Sequence, residues 1–246
     1  MTTNLATQLR EGTKHSHTLA ENTAFMKCFI KGIVEKEPLR KLLANLYFVY
    51  STLEEELQRY HAHAVVGAIY FPELNRKAKL EEDLAFYYGE DWRDLITPSE
   101  EGKKYVDRIR EVAATQPERL IAHAYVRYMG DLSGGQALKN IIRSALELPP
   151  NQGTGLHEFD ALPTVEAKRD FKVKYRDTLN ALPIDDAIAQ QIVDEANYAF
   201  EINRDVVHEL EPEVKAAIGD RVFELLTRQD KPGSTEHNRA QNLATV

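Results

Sequence analysis

The run AYVRYMGDLSGGQALKNIIRSALEL, residues 124–148, places Gly130, Gly134 and Gly135 inside an otherwise strong helical pattern. Each glycine costs ~1 kcal/mol relative to alanine in a helix interior, so three within six residues call for a reason. Gly130 and Gly134 are four apart, and Leu138, Ile141, Ile142 and Ala145 continue their stripe. The missing side chains are therefore expected on the inward face. Two readings follow. Another helix packs closely there, or something flat and bulky approaches bare backbone beside Asp131 and Ser133, which are read as lying on the buried side.

An imidazole is the natural complement to such a wall. Of the eight histidines, His15 and His17 are two apart, about 200° around a helix, so at most one of them faces the core. The stripe of Leu9 and Thr13 selects His17. A histidine aimed inward opposite a glycine-lined helix is the arrangement of a haem between an axial ligand and a small-residue distal wall. Haem carries two carboxylates, and the segment KRDFKVKYR offers cations for them. Lys168, Lys172 and Arg176 share one face at four-residue spacing, with Arg169 and Lys174 nearby. Taken alone, that run also reads as a solvated helix face with ion pairs.

Other chemistries are excluded on residue grounds. LSGGQ at 132–136 matches a signature of ABC-type ATPases, but no G-x-x-x-x-G-K-[ST] loop accompanies it, so nucleotide hydrolysis is rejected. A di-iron carboxylate bundle needs Glu-x-x-His pairs; no Glu here has His three residues later, and most of Glu54–Glu56 should be solvated. The single cysteine, Cys28, forms no disulfide framework or metal cluster. Thirty-one basic against 39 acidic side chains leave a net charge of -8, which disfavours general nucleic-acid binding. No apolar run suits a signal peptide or a membrane span, so a soluble, cytoplasmic protein is expected.

These residues need helices to position them. Twelve Gly and ten Pro in 246 residues are sparse, and the stretches between them are rich in Ala, Leu, Glu, Lys and Arg, which predicts an all-α, single-domain, multi-helix bundle. Helices are expected at about 5–20, 37–63, 74–88, 99–114, 117–148, 164–182, 184–210 and 212–227. Residues 149–163 read as a loop within the one domain, 1–227. Residues 228–246 lack apolar periodicity and read as a disordered tail.

LREGTKHSHTLAEN, LYFVYSTLEEEL, YFPELNRKAKLEEDLAFYYG and above all AHAYVRYMGDLSGGQALK resemble the biliverdin-producing haem oxygenases, most closely the soluble cyanobacterial ferredoxin-dependent type, across about residues 5–210. The resemblance explains GDLSGGQ as part of that family's distal helix. It implies that His17 is the proximal iron ligand with Glu21 one turn on, and that Gly130 and Gly134 form the distal wall. Asp131 would hold a water network, and Ser133 would line the pocket. Arg10, Tyr125, Lys172 and Arg176 would hold the propionates, with Phe200 and Asn203 near the pocket. The implied reaction uses haem b as cofactor and substrate. With dioxygen and electrons from reduced ferredoxin it gives biliverdin IXα, carbon monoxide and ferrous iron, feeding bilin pigment synthesis for photosynthesis and a downstream bilin reductase. A non-catalytic haem-binding or trafficking protein, needing His17 and the cations but not Asp131, and a helical scaffold without haem are the alternatives.

Overall fold

The computed structural model describes residues 4–228, and in it the chain is all helical apart from turns and loops. Its helices are α1 (Leu5–Gly12), α2 (Lys14–Glu21), α3 (Ala24–Ile30), α4 (Lys36–Arg59), α5 (Lys77–Tyr88), α6 (Trp92–Leu95), α7 (Glu100–Thr115), α8 (Leu120–Ala124), α9 (Gly130–Ser133), α10 (Gly135–Ala145), α11 (Val165–Asn180), α12 (Asp186–His208), α13 (Glu211–Ile218) and α14 (Asp220–Thr227). A π-helical turn, Tyr125–Met129, joins α8 to α9. The expected tail, but for Arg228, lies outside the described residues.

Two helices organise the interior. α4 packs against α5 and α7 with Val49, Tyr50, Leu53 and Leu57 essentially buried. α12 packs against α1, α2, α7 and α8 through Ala189, Ile192, Ala196 and Ala199, whose small members let neighbouring backbones approach. Capping follows the sequence: Ser99, Thr164 and Asp185 each accept a backbone N–H three residues on, at Gly102, Ala167 and Ile188.

Four expectations are corrected. The first helix is broken at Thr13, whose hydroxyl bonds back to Leu9 O at 2.7 Å, next to Gly12, where an added Cβ would lie 2.6 Å from Val193 Cγ1. The 117–148 helix is five pieces, beginning with a 3₁₀ turn at Pro117–Arg119 and including the widened turn at 125–129. The last helix divides at Gly219, whose φ of +83° lies in the left-handed region. Glu54 and Glu56 are buried, not solvated. Glu54 accepts the backbone N–H groups of Arg76 and Lys77 at the start of α5, and Glu56 pairs with Arg59 at 3.1 Å. Burial pushes the Glu54 carboxyl up to about 7 against those bonds.

A second buried charge ties α12 to α7 and α8. Glu195 receives Arg108 at 2.9 and 2.5 Å and lies 3.1 Å from His123 Nε2. Although burial opposes it, those hydrogen bonds hold the Glu195 carboxyl down to about 2. The pair fixes the rotation of α12, and with it whatever α12 presents on its other face.

Candidate functional site

α2 is set on α12 by polar contacts at its start. The Ser16 hydroxyl donates to Asn197 Oδ1 at 2.6 Å, and Asn197 Nδ2 donates to Gly12 O at 3.1 Å. One residue on, the His17 ring meets Phe200 edge-on, with centroids 5.7 Å apart. Its Nδ1 lies 3.6 Å from Glu21 Oε2, so Nε2 is the nitrogen left for a ligand. The expected inward orientation needs correction here: the His17 side chain is 55% exposed, facing α12 at an open margin of the fold and not its core. His15 is exposed as well.

Phe200 and Asn203 are three apart on α12 and so share a face. Asn203 Oδ1 accepts from Arg127 NH1 at 2.5 Å. Arg127 Nε donates to the Tyr50 hydroxyl at 3.1 Å, and Tyr50 donates in turn to Asp131 Oδ2. The chain of donors, guanidinium to phenol to carboxylate, runs in one sense, an arrangement in which each bond polarises the next. Burial raises the Asp131 carboxyl, opposed by Arg127, the Tyr50 hydrogen bond and Arg76. Burial also raises the Tyr50 phenol well above its ordinary value and keeps it a neutral donor. One face of α12 thus carries both the contact to His17 and the contact to the network that ends on Asp131.

The glycines are resolved by what surrounds them. A Cβ on Gly130 would meet nothing within 4 Å, and one on Gly134 would meet only Gly130 O at 3.7 Å. Both are exposed, as is Ser133, which corrects their expected inward placement. Close helix packing therefore does not explain Gly130 or Gly134; it explains Gly135, where a Cβ would lie 2.9 Å from His157 Nδ1. What remains at 130 and 134 is helical backbone open to an approaching flat group.

The cations gather at one rim. Ala6 N donates to Asn180 Oδ1 at 2.9 Å, tying the start of α1 to the end of α11. Run antiparallel from that tie, Arg10 and Arg176 come level, each about 6 Å along its helix. Tyr125 is raised by burial and feels both guanidiniums in the opposite sense. Lys172, one turn before Arg176, is half-buried, and Arg10 bonds its exposed neighbour Glu11 at 2.8 Å. Among the described residues Lys172 and Arg176 form no ion pair, whereas Arg169 of the same run pairs with exposed Asp170 at 3.3 Å. The site residues that the sequence did not single out are Tyr50 and Arg127. Arg127 had a visible signal, four residues before Asp131 on a buried helix; Tyr50 had none.

Among the described residues no group of three or more His, Cys, Asp and Glu could by itself hold a metal ion. No described helix is long and apolar enough to cross a membrane. Residues 3–209 match the family model described as Heme oxygenase. Heme oxygenase 2 of Synechocystis sp. is 62% identical over 234 residues, covering 95% of this chain and 94% of that protein. Heme oxygenase 1 of the same organism is 54% identical over 236 residues, covering 96% and 97%. A crystal structure of heme oxygenase-2 from Synechocystis sp. in complex with heme and NO superposes with a TM-score of 0.92 at 62% identity, covering 95% of this chain and 96% of that one.

Proposed function

The chain belongs to the haem oxygenase family and degrades haem to biliverdin, and from that premise we propose that haem lies between α2 and the Gly130–Gly134 backbone, with His17 as its iron ligand. The observation that carries this is the shared face of α12, where Phe200 touches His17 and Asn203 begins the chain to Asp131. The crystallised Synechocystis relative, whose complex holds heme, supports it. The residues fit the group: an imidazole with one free nitrogen, backbone without side chains at Gly130 and Gly134, and at the rim Lys172 and Arg176, in no ion pair among the described residues, for two carboxylates.

Haem supplies the redox iron and the carbon skeleton that is opened, with dioxygen and electrons as co-reactants. His17, oriented by Glu21, gives a neutral nitrogen donor without the strong electron push of a thiolate. Gly130 and Gly134, with no side chains and open space before them, would let the ring approach the helix closely. Asp131, holding the Tyr50 hydroxyl and facing the guanidinium of Arg127, retains water and passes protons. Arg10, Tyr125, Lys172 and Arg176 would hold the propionates and so fix the rotation of the ring in its site, which favours a single isomer, biliverdin IXα. Ferredoxin is the electron donor we favour, because an acidic protein complements the basic rim despite the net charge of -8. Carbon monoxide and ferrous iron are the other products, and a bilin reductase is the downstream partner.

Haemin titration followed by addition of reductant under air tests this reading. A Soret shift and then conversion to a bilin is expected; a stable complex that never yields bilin would mark a haem carrier instead. The buried Tyr50–Asp131 network, which a carrier would not need, favours the enzyme.

Two variants sharpen the assignment. Gly130→Ala should raise the stability of the haem-free protein by about 0.4–1 kcal/mol, because its backbone is already helical, with φ -62° and ψ -50°, and nothing opposes the methyl. The same methyl should weaken haemin binding and slow bilin formation; a haemin titration unchanged by the substitution would place the haem elsewhere. Lys172→Ala with Arg176→Ala should weaken binding by about 1–3 kcal/mol per lost charge-assisted bond and broaden the isomer mixture on chromatography. Unchanged affinity with α isomer alone would move the anchoring role away from α11.

A further inference from the structure

The turn at 154–158 belongs to the loop whose sequence suggested nothing beyond a connection, yet it is fastened to the distal run at successive turns. Gln136 Nε2 donates to His157 O at 2.9 Å, Lys139 Nζ pairs with Glu158 Oε1 at 3.1 Å, and Arg143 NH1 donates to Thr154 Oγ1 at 3.4 Å. Positions 136, 139 and 143 form one stripe of α10. From the other side, Asp83 on α5 accepts the backbone N–H groups of Gly155 and Leu156 at 2.7 and 2.8 Å. Arg76 donates to Glu158 O and covers the Phe159 ring at 3.7 Å. The turn is thus a strap between α5 and α10, and Gln136 of the LSGGQ motif is one of its anchors.

Within it His157 is buried, 6% exposed, and its Nδ1 has no hydrogen-bond partner among the described residues. Burial, with Arg127, Arg76 and Lys139 adding to it, pushes this imidazole down to about 3, so it packs as a neutral ring. The ring lies behind Gly135, at a point where an added Cβ would be 2.9 Å from Nδ1 and 3.8 Å from Asp131 Cβ. Gly130 and Gly134 have no side chains and face open space, so no side chain on that open side fixes how high this backbone stands. Contact from behind must fix it. We propose that the 154–158 turn is a brace that sets the height of the distal backbone, with His157 as a positioning residue acting through Gly135 on Asp131 and Gly134. The proposal rests on the open Gly130–Gly134 face being part of the haem site.

The test uses the full-length protein with His157→Ala, Gly135→Ala and the double variant. Each single change shifts the distal backbone, by collapse into the vacated space or by the methyl pressing on the ring. Each should therefore cut kcat for bilin formation by on the order of tenfold to a hundredfold and alter the isomer ratio, with haemin binding changed far less. In the double variant the methyl occupies room left by the imidazole, so rate and isomer ratio should return toward wild type. Haem-free His157→Ala should also exchange amide hydrogens faster at residues 130–138, with the α4 and α7 core unaltered, and this readout stands even if the wild type forms no bilin. Wild type without bilin formation would defeat the haem-site reading, whereas unchanged exchange would defeat the brace. Additive defects in the double variant, or unchanged kcat and isomers in both singles, would also overturn it. Should His157→Ala fail to fold, Gln136→Ala releases one anchor from the surface and is held to the same exchange and isomer criteria.

Discussion

Haemin added to His17→Ala is expected to give no histidine-ligated Soret spectrum, while His15→Ala binds and turns over as the wild type does. The two differ by environment. His17 stands against Phe200 with Nδ1 turned to Glu21, which leaves Nε2 for iron; His15 is exposed about 200° around the same helix. Without the imidazole, haem would be held by packing and propionate contacts alone, so binding should weaken without vanishing. Added imidazole should then restore a six- or five-coordinate histidine-like spectrum in His17→Ala by filling the space the side chain left. Glu21→Ala is the finer probe: losing the group that orients a ligating histidine costs about tenfold to a hundredfold in affinity or activity in comparable sites. Equal spectral damage from His15→Ala and His17→Ala would remove the assignment.

The residues proposed for this site are legible because they are conspicuous by type. Glycines in a helix, an imidazole on a marked stripe and a dense basic run each violate a local expectation, and the all-α bundle follows from composition and periodicity. What escaped is instructive in physical terms. Periodicity identifies a face but not what covers it, so the sequence places His17, Gly130 and Gly134 toward the core although the protein leaves them exposed. Tyr50 is 81 residues from Asp131 and sits in an apolar stripe, where a tyrosine is indistinguishable from core filling until the partner hydroxyl contact is seen. The burial of Glu54 and Glu56 was missed for the opposite reason: a run of glutamates reads as solvated, yet one of them closes the N-terminal end of α5 through contacts 22 and 23 residues away. α3 is seven residues long, too short to show a period. The break at Thr13 lies next to Gly12, where only a missing side chain leaves room for Val193, a neighbour across the fold that no local window contains.

Asp131→Ala is expected to keep haemin affinity and the His17 spectrum while losing most ring opening, by about 10²–10⁴-fold, the usual contribution of a positioned proton-transfer group. The side chain is suited to that role by position. It is 6% exposed, it lies one residue after an uncovered glycine, and its carboxylate takes the Tyr50 hydroxyl while Arg127 bonds Tyr50 from behind. Removing the carboxylate strands the Tyr50 donor and loosens Arg127, so some stability, about 1–3 kcal/mol, should go with it. That loss must be separated from the chemical one, and Asp131→Asn does so. The amide keeps the size and an acceptor oxygen for Tyr50 but no charge, so Asp131→Asn should recover most of the stability and less of the rate. Oxygen consumed per bilin formed is the telling quantity. In the alanine variant it should rise, because oxygen is still reduced at the haem while protons and water are no longer held where they direct attack onto the ring. Bilin formation by Asp131→Ala at the wild-type rate and oxygen stoichiometry would make the carboxylate a structural partner of Tyr50 only, and would assign proton delivery to groups other than this network.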